Sequence, residues 1–134
     1  MDKIRGVGHI GLGVKDIHAS VKAFARTFNV PVPEVTVLPD RQMKVALVQL
    51  GPISLEFLQD DSENGMLAKF IRDKGDGIHH FCVDTDDIEA DVEVIKRRGV
   101  EMIHQQPVIG VRGKRIAFMG GNALTGIPIE MSEP

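Results

Sequence analysis

The sequence predicts an α+β fold built from two β-α-β-β-β modules, and three observations lead to that prediction. The segment GHIGLGVKDI resembles HHFCVDTDDI, and His80 follows His9 at an offset of 71 (80 − 9 = 71). Each copy is followed by apolar residues at helical spacing. Each half then continues with short segments in which apolar and polar residues alternate, as they do in strands. The second half therefore repeats the first.

Spacing also predicts the first two elements of each module. Apolar residues recur at i, i+4, i+7 and i+11 from Ile17, and at i, i+4 and i+7 from Ile88, which is the pattern of an amphipathic helix. Asp16 and Asp87 stand directly before these segments, where a carboxylate can cap the first free backbone N–H groups. Each half is thus predicted to begin with a strand and a capped helix.

The later strands repeat as well. KVALV from Lys44 matches RIAFM from Arg115 at the same offset of 71 (115 − 44 = 71). Each is followed by a short alternating segment, ISLEF in the first half and IPIEM in the second, whose glutamates are Glu56 and Glu130. The offset between these glutamates is 74 (130 − 56 = 74). The loop before the last strand is therefore three residues longer in the second half than in the first. About three strands are predicted after each helix.

The chain is expected to form one domain over residues 1–134, because 134 residues with 43% hydrophobic content suffice for a single core. Module one is predicted over about residues 1–63, a linking helix over about 65–74 and module two over about 76–134.

Charge and composition limit the kinds of ligand and the cell compartment that are expected for this protein. There are 16 basic and 19 acidic residues and a formal charge of −3, with no basic stripe for nucleic acid or a membrane surface, so a small neutral or anionic ligand is expected. No apolar run is long enough for a bilayer, and the charged start MDKIR is unlike a signal peptide, which predicts a soluble, cytoplasmic protein. The single cysteine, Cys82, cannot form an internal disulfide, so histidines and carboxylates must bind any metal.

Four residues in equivalent positions of the two modules predict a metal site. Side chains alternate across a strand, which places His9, Glu56, His80 and Glu130 on the faces turned away from the helices. Two imidazoles and two carboxylates together neutralise a divalent cation and suit Zn, Co, Ni, Mn or Fe, without selecting among them. Any one of these residues alone would more simply be structural; duplication in register favours shared metal binding.

Other reactive side chains have simpler interpretations. His18, His79 and His104 are predicted to be structural or exposed. Cys82 shares the face of His80 and is interpreted as a small buried apolar residue.

Three segments resemble one known family. GIHHFCVDTDDIEADVEVIKRRGV, MLAKFIRDKGDGIHH and PVIGVRGKRIAF are similar to segments of the methylmalonyl-CoA epimerase family, within the vicinal oxygen chelate (glyoxalase-like) superfamily. The resemblance covers essentially the whole chain. It implies paired modules that form a cupped mixed sheet around one divalent metal ion, with the metal ligands at His9, Glu56, His80 and Glu130.

The resemblance also implies an activity. A metal-dependent epimerase would exchange the α-proton of a 2-acyl-CoA thioester, most simply methylmalonyl-CoA, through a metal-stabilised enolate. Glu130 is the hypothesis for one proton-transfer group. Arg112, Lys114 and Arg115 are candidates to bind the CoA phosphates. The implied partner is a small acyl-CoA, with no nucleic acid and no membrane, and homodimers are common in this superfamily.

Departures from the family pattern leave alternatives open. Val45 stands where some members carry an acid–base glutamate, and Gly120, Gly121 and Asn122 replace a common His-Pro-Lys segment. Glyoxalase I has the same His, Glu, His, Glu ligand order, although the Asp-Pro-Asp-Gly turn usual in such members is absent here. A non-catalytic small-molecule-binding module of the same fold is the third reading; such modules usually lack the metal ligands.

Overall fold

The computed structural model describes residues 4–134 and shows a β-α-β-β-β order that occurs twice. The first copy comprises β1 (Gly6–Gly13), α1 (Ile17–Phe28), β2 (Thr36–Leu38), a 3-10 turn (Pro39–Arg41), β3 (Met43–Leu50) and β4 (Ile53–Asp60). Helix α2 (Met66–Lys74) follows, and then β5 (Gly77–Asp84), α3 (Ile88–Arg97), β6 (Val108–Ile109), β7 (Arg115–Phe118) and β8 (Ile129–Ser132). The predicted α+β class and module order are confirmed. Among residues 4–134, no helix is long and apolar enough to span a membrane.

Contacts divide the chain into two compact units, of which the first is Ile10–His79. Its strands are hydrogen-bonded in the order β2-β3-β4-β1, with the C-terminal half of β1 at the end. In the β3–β4 hairpin Leu47 lies opposite Glu56. The core of this unit forms where α1 packs on the sheet and buries Val14, Ile17, Val21, Ala46 and Phe57.

The second unit combines the N-terminal segment up to His9 with His80–Pro134. Its strands follow the order β1-β5-β8-β7-β6. Strand β5 is parallel to β8, with Cys82 opposite Glu130, and β7 is antiparallel to β8, with Phe118 opposite Glu130. Helix α3 packs on this sheet through a core that includes Ile88, Val92, Ala117 and Met131.

Equivalent hydrogen bonds in the two units confirm the duplication and the three additional residues before the last strand of the second copy. In one unit the backbone N–H of Val14 donates to the carbonyl of Leu58, and in the other the N–H of Thr85 donates to the carbonyl of Ser132, both at 3.0 Å. The offset between the donors is 71 (85 − 14 = 71) and the offset between the acceptors is 74 (132 − 58 = 74). The register of β1 and β4 in one unit is therefore the same as the register of β5 and β8 in the other.

The last strand is shorter than the alternation predicts. It begins at Ile129, so Ile127 and Pro128 precede it. Proline has no N–H to donate to a ladder, and Gly126 directly before this stretch has φ of +96°, a turn conformation. Glu130 is thus the second residue of β8, close to the end of the preceding turn.

Candidate metal centre

Two buried imidazoles form the centre of the candidate site. His9 on β1 and His80 on β5 are 1% and 2% exposed, and their Nε2 atoms are 3.3 Å apart. The rings meet edge to face at an interplanar angle of 83°. The ring of Phe118 packs against His80 with centroids 4.9 Å apart, again edge to face. Both histidines are therefore fixed with the same ring nitrogen turned toward a common point.

Glu130 lies beside His9. Its Oε1 lies 2.9 Å from Nε2 of His9, but the contact lacks the geometry of a hydrogen bond, and no residue among 4–134 donates one to this oxygen. Burial raises the pKa of Glu130, but the neighbouring imidazoles of His9 and His80 outweigh burial, so the pKa lies below its ordinary value of 4.5. The carboxylate is therefore ionised at neutral pH.

Cys82 adjoins this carboxylate. Its thiol is fully buried and donates to the carbonyl of Val83 at 3.7 Å. One ligand atom each from His9, Cys82 and Glu130 lies within 4.8 Å of the others. Burial, followed by the charge of Glu130, raises the pKa of the Cys82 thiol far above its ordinary value. Cys82 is therefore a small buried residue beside His9 and Glu130.

The arrangement fits a small divalent cation. Ligands held about 2.0–2.1 Å from one ion lie roughly 2.9–3.4 Å apart when they are neighbours, and the two measured separations are 2.9 and 3.3 Å. Nε2 of His9 lies at such a distance from both His80 and Glu130, and one ligand atom each of His9, Cys82 and Glu130 forms a compact group. Imidazole and carboxylate donors of this kind fit a small divalent cation.

Glu56 belongs to the unit Ile10–His79. It lies in β4, is 3% exposed and faces the same way as Leu47, its partner in β3. Val45, two positions before Leu47, is buried opposite Leu58. The structure thus has an apolar side chain where some members of the family carry an acid–base glutamate.

The three basic candidates have different surroundings. Arg115 is bound by two carboxylates: its Nε donates to Glu133 at 2.8 Å and its Nη1 pairs with Glu89. These partners raise the pKa of Arg115, and the hydrogen bond that Arg115 donates to Glu133 is the largest cause. Arg112 is half-buried, with Nη2 3.4 Å from the hydroxyl of Ser132, and Lys114 is half-buried on the same loop.

The remaining histidines have structural positions. His18 is exposed on α1. His79 is 5% exposed and packs edge to face against Phe70 in its own unit. His104 accepts a hydrogen bond at Nδ1 from the backbone N–H of Phe118, at 2.9 Å.

Phe118 is a site residue that the sequence reasoning missed. A signal for it was present, because Phe118 opposite Glu130 repeats Leu47 opposite Glu56 at the same two offsets. A cavity of about 720 Å³ also occurs in the unit Ile10–His79, but the side chains that line it, including Phe24, Phe28 and Leu50, contain no titratable group.

A duplicated β-α-β-β-β fold with a buried histidine and glutamate cluster defines a class of proteins. Residues 8–118 match the Glyoxalase/Bleomycin resistance protein/Dioxygenase superfamily, and the chain belongs to it. Its fold is the glyoxalase-like fold, as the resemblance implied.

Several relatives of this chain are methylmalonyl-CoA epimerases. The mitochondrial methylmalonyl-CoA epimerase of Homo sapiens is 25% identical over 128 residues, which cover 95% of this chain and 73% of that protein. A solved methylmalonyl-CoA epimerase, in complex with methylmalonyl-CoA and NH4+, is 25% identical with a TM-score of 0.88, covering 98% of this chain and 95% of that one. The hypothetical protein BH1468 from Bacillus halodurans is 31% identical with a TM-score of 0.87, covering 96% and 93%.

Proposed function

We propose that this chain is a metal-dependent epimerase of a 2-acyl-CoA thioester, with methylmalonyl-CoA as the first candidate substrate. The observation that carries the proposal is the buried imidazole of His9, whose Nε2 lies 3.3 Å from Nε2 of His80 and 2.9 Å from Oε1 of Glu130. The similarity to methylmalonyl-CoA epimerases along nearly the whole chain supports it and supplies the substrate class.

We propose Glu56 as the fourth ligand. It is buried, and an ionised carboxylate inside a protein needs a compensating charge. The paired offsets of 71 and 74 between equivalent hydrogen bonds support its equivalence to Glu130 of the other module. With both glutamates bound, the charge of a divalent cation is neutralised.

The chemistry divides between the ion and the side chains. A bound divalent cation would supply Lewis acidity, which stabilises negative charge developing on the oxygen of the thioester. Glu130 is ionised and acts as the general base that removes the α-proton from one face of the α-carbon. Inversion at this carbon requires that an acid on the opposite face deliver the returning proton. This role requires His9 to carry its own proton on Nδ1, so that Nε2 does not compete for Oε1. Burial by Phe118 and Cys82 excludes water from the carboxylate.

The CoA moiety carries phosphates, and two of the basic candidates suit them better than the third. Arg112 and Lys114 lie on the loop before β7 and are half-buried. Arg115 is already committed to Glu133 and Glu89 and is expected to hold the strand ends together. We therefore assign phosphate binding to Arg112 and Lys114.

The decisive experiment measures bound metal and α-proton exchange on the same purified protein. Metal-loaded protein should incorporate deuterium at the α-carbon of methylmalonyl-CoA in deuterated buffer, and chelation should abolish this exchange. The methylglyoxal–glutathione adduct should not be turned over. Turnover of the adduct alone would assign the protein to glyoxalase chemistry, and binding of either compound without turnover would make it a binding module.

Two matched variants test the role of Glu130. Glu130→Gln should abolish exchange, whereas Glu56→Gln should weaken metal binding and leave some exchange once metal is saturating. His18→Gln is the control, because His18 is exposed on α1. Equal residual exchange in the two glutamine variants would contradict a special role for Glu130.

A further inference from the structure

We infer that the cavity of about 720 Å³ in the unit Ile10–His79 is a second binding site, which takes an uncharged ligand made mainly of hydrocarbon. Its walls come from the C-terminal end of α1, from the segment that follows α1 and from the β3–β4 hairpin. The inference goes beyond the epimerase function, because neither a metal nor an acyl-CoA takes part in it.

The walls of the cavity are apolar. Phe24 and Phe28 of α1 line it with ring centroids 4.9 Å apart, and Val48 and Leu55 line it from the hairpin. None of the lining residues has a charged side chain. A charged group in such a place would lose hydration without gaining a partner. The lining therefore favours a neutral, apolar ligand.

Gln49 is the one polar side chain among the lining residues, and its amide already has partners within the hairpin. Its Nε2 donates to the carbonyl of Gly51 at 2.7 Å, and its Oε1 accepts the hydroxyl of Ser54 at 2.8 Å. The ligand is therefore expected to bind through apolar contact.

The volume of the cavity suits a small molecule. Sites for ligands of drug size measure roughly 300–1,000 Å³ and are lined mainly by hydrophobic and aromatic side chains. A cavity of about 720 Å³ lies within this range. Phe28 and Leu50, which both line it, are exposed, so a ligand there would remove apolar surface from water.

The other module closes the equivalent place with hydrogen bonds. The side chain of Asn122, after β7, accepts the N–H of Glu101 at 2.9 Å and donates to the carbonyl of Gly99 at 3.2 Å. The N–H of Gly120 also donates to the carbonyl of Glu101, at 2.6 Å. In that unit, the segment after α3 is thus joined directly to the segment after β7.

The first module has lost groups that make these bonds. Gly51 stands at the position of Asn122 (122 − 51 = 71) and has no side chain to reach across. Pro31 and Pro33, in the segment after α1, have no N–H to donate and instead line the cavity. The cavity therefore opens at a place where the two halves of the sequence differ, and it is not a general feature of the module.

Fluorescence of N-phenyl-1-naphthylamine tests the inference, because this uncharged aromatic probe emits strongly only in apolar surroundings. With chelator-treated protein the emission should rise and saturate at one probe per chain. Absence of saturable binding would overturn the inference.

Val30→Glu locates the probe. Val30 lines the cavity and is exposed, so a glutamate there should leave the fold intact and weaken probe binding by about tenfold. Val32→Glu is the matched control, since Val32 is exposed in the same segment but does not line the cavity. Equal affinities in these two variants would place the probe elsewhere and contradict the inference.

Phe28→Ala is a second variant that adds no charge. It removes the exposed ring beside Phe24 and should weaken probe binding by about 2–10-fold. Wild-type affinity in this variant would also contradict the inference.

Sedimentation velocity tests the other occupant, a second copy of this chain. A wild-type dimer that Val30→Glu converts to a monomer would show that a second copy covers the cavity, and would overturn the inference. Failure of the proposed function would look different: a protein that binds the probe but neither binds metal nor exchanges the α-proton would keep this site and lose the epimerase assignment.

Discussion

The imidazole of His104 is fixed by the backbone of the neighbouring strand. Its Nδ1 accepts the N–H of Phe118, so the neutral ring carries its proton on Nε2. Burial lowers the pKa of His104 below its ordinary value of 6.5, and the charge of Glu130 opposes this shift. His104 thus supports Phe118, the ring that packs on His80.

The lowered pKa of His104 predicts a pH dependence of stability. The unfolded chain binds a proton at this histidine more readily than the folded chain does, so stability is full above the unfolded pKa. It should fall as the pH drops through about 6.5 and level off below the folded pKa. Urea unfolding of metal-free protein between about pH 7.5 and about pH 5, the range in which histidine titrates, measures the effect.

His104→Asn is the matched variant, because an amide oxygen can still accept the N–H of Phe118 but does not titrate. Its stability should decline less than that of the wild type over the same pH range. Parallel declines would show that His104 is not the titrating group.

At the scale of single residues, the equivalent positions of the buried histidines and glutamates were predictable and their neighbours were only partly so. The constant offset between the two halves singled out His9 and His80 from the other histidines, because a duplicated position is visible in the sequence. The closeness of Cys82 to Glu130 was not predicted, since it depends on which strand lies beside β5. That neighbour is β8, which begins only at Ile129, and nothing local in the sequence specifies it.

Helices α1 and α3 both begin with a capping aspartate. Asp16 accepts a hydrogen bond from the N–H of Ala19 at 3.1 Å, and Asp87 accepts one from the N–H of Ala90 at 3.2 Å. These caps satisfy backbone donors that a helix leaves free in its first turn. Duplication has therefore preserved the capping aspartate at the start of each helix as well as the paired histidine and glutamate positions.

Removing either cap should cost similar stability. Asp16→Ala and Asp87→Ala are each expected to lower the free energy of unfolding by about 1 kcal/mol, measured by urea unfolding. Asp16→Asn and Asp87→Asn keep an acceptor and should cost much less. A full loss in the asparagine variants would attribute the effect to charge at the helix start.

At the scale of elements, the sequence predicted the helices, which are determined by interactions between residues close together in the chain. Both helices and their caps were predicted because apolar spacing and a capping carboxylate lie within a few residues. The last strand was predicted from Ile127 because alternation alone ignores backbone donors, and Pro128 lacks one. The structure corrects its start to Ile129.

At the scale of the whole molecule, a cation bound to the folded state should stabilise the entire chain. At a free metal concentration 100 times the dissociation constant, the gain is about 2.7 kcal/mol. Thermal unfolding of chelator-treated protein should therefore shift to higher temperature on addition of Co2+ or Zn2+.

His80→Ala should lose most of this shift, because it removes one of the two converging nitrogens. His18→Ala should retain it. An equal shift in both variants would place the bound metal elsewhere in the chain.

One compact unit joins parts of the chain that are far apart in sequence, because residues 4–9 belong with His80–Pro134. During synthesis, Ile10–His79 is a continuous stretch that can begin to fold as soon as it leaves the ribosome. His9 must instead wait for Glu130, which is made 121 residues later (130 − 9 = 121). A product truncated between the two modules would therefore contain a nearly complete first module and lack the contact between His9 and Glu130.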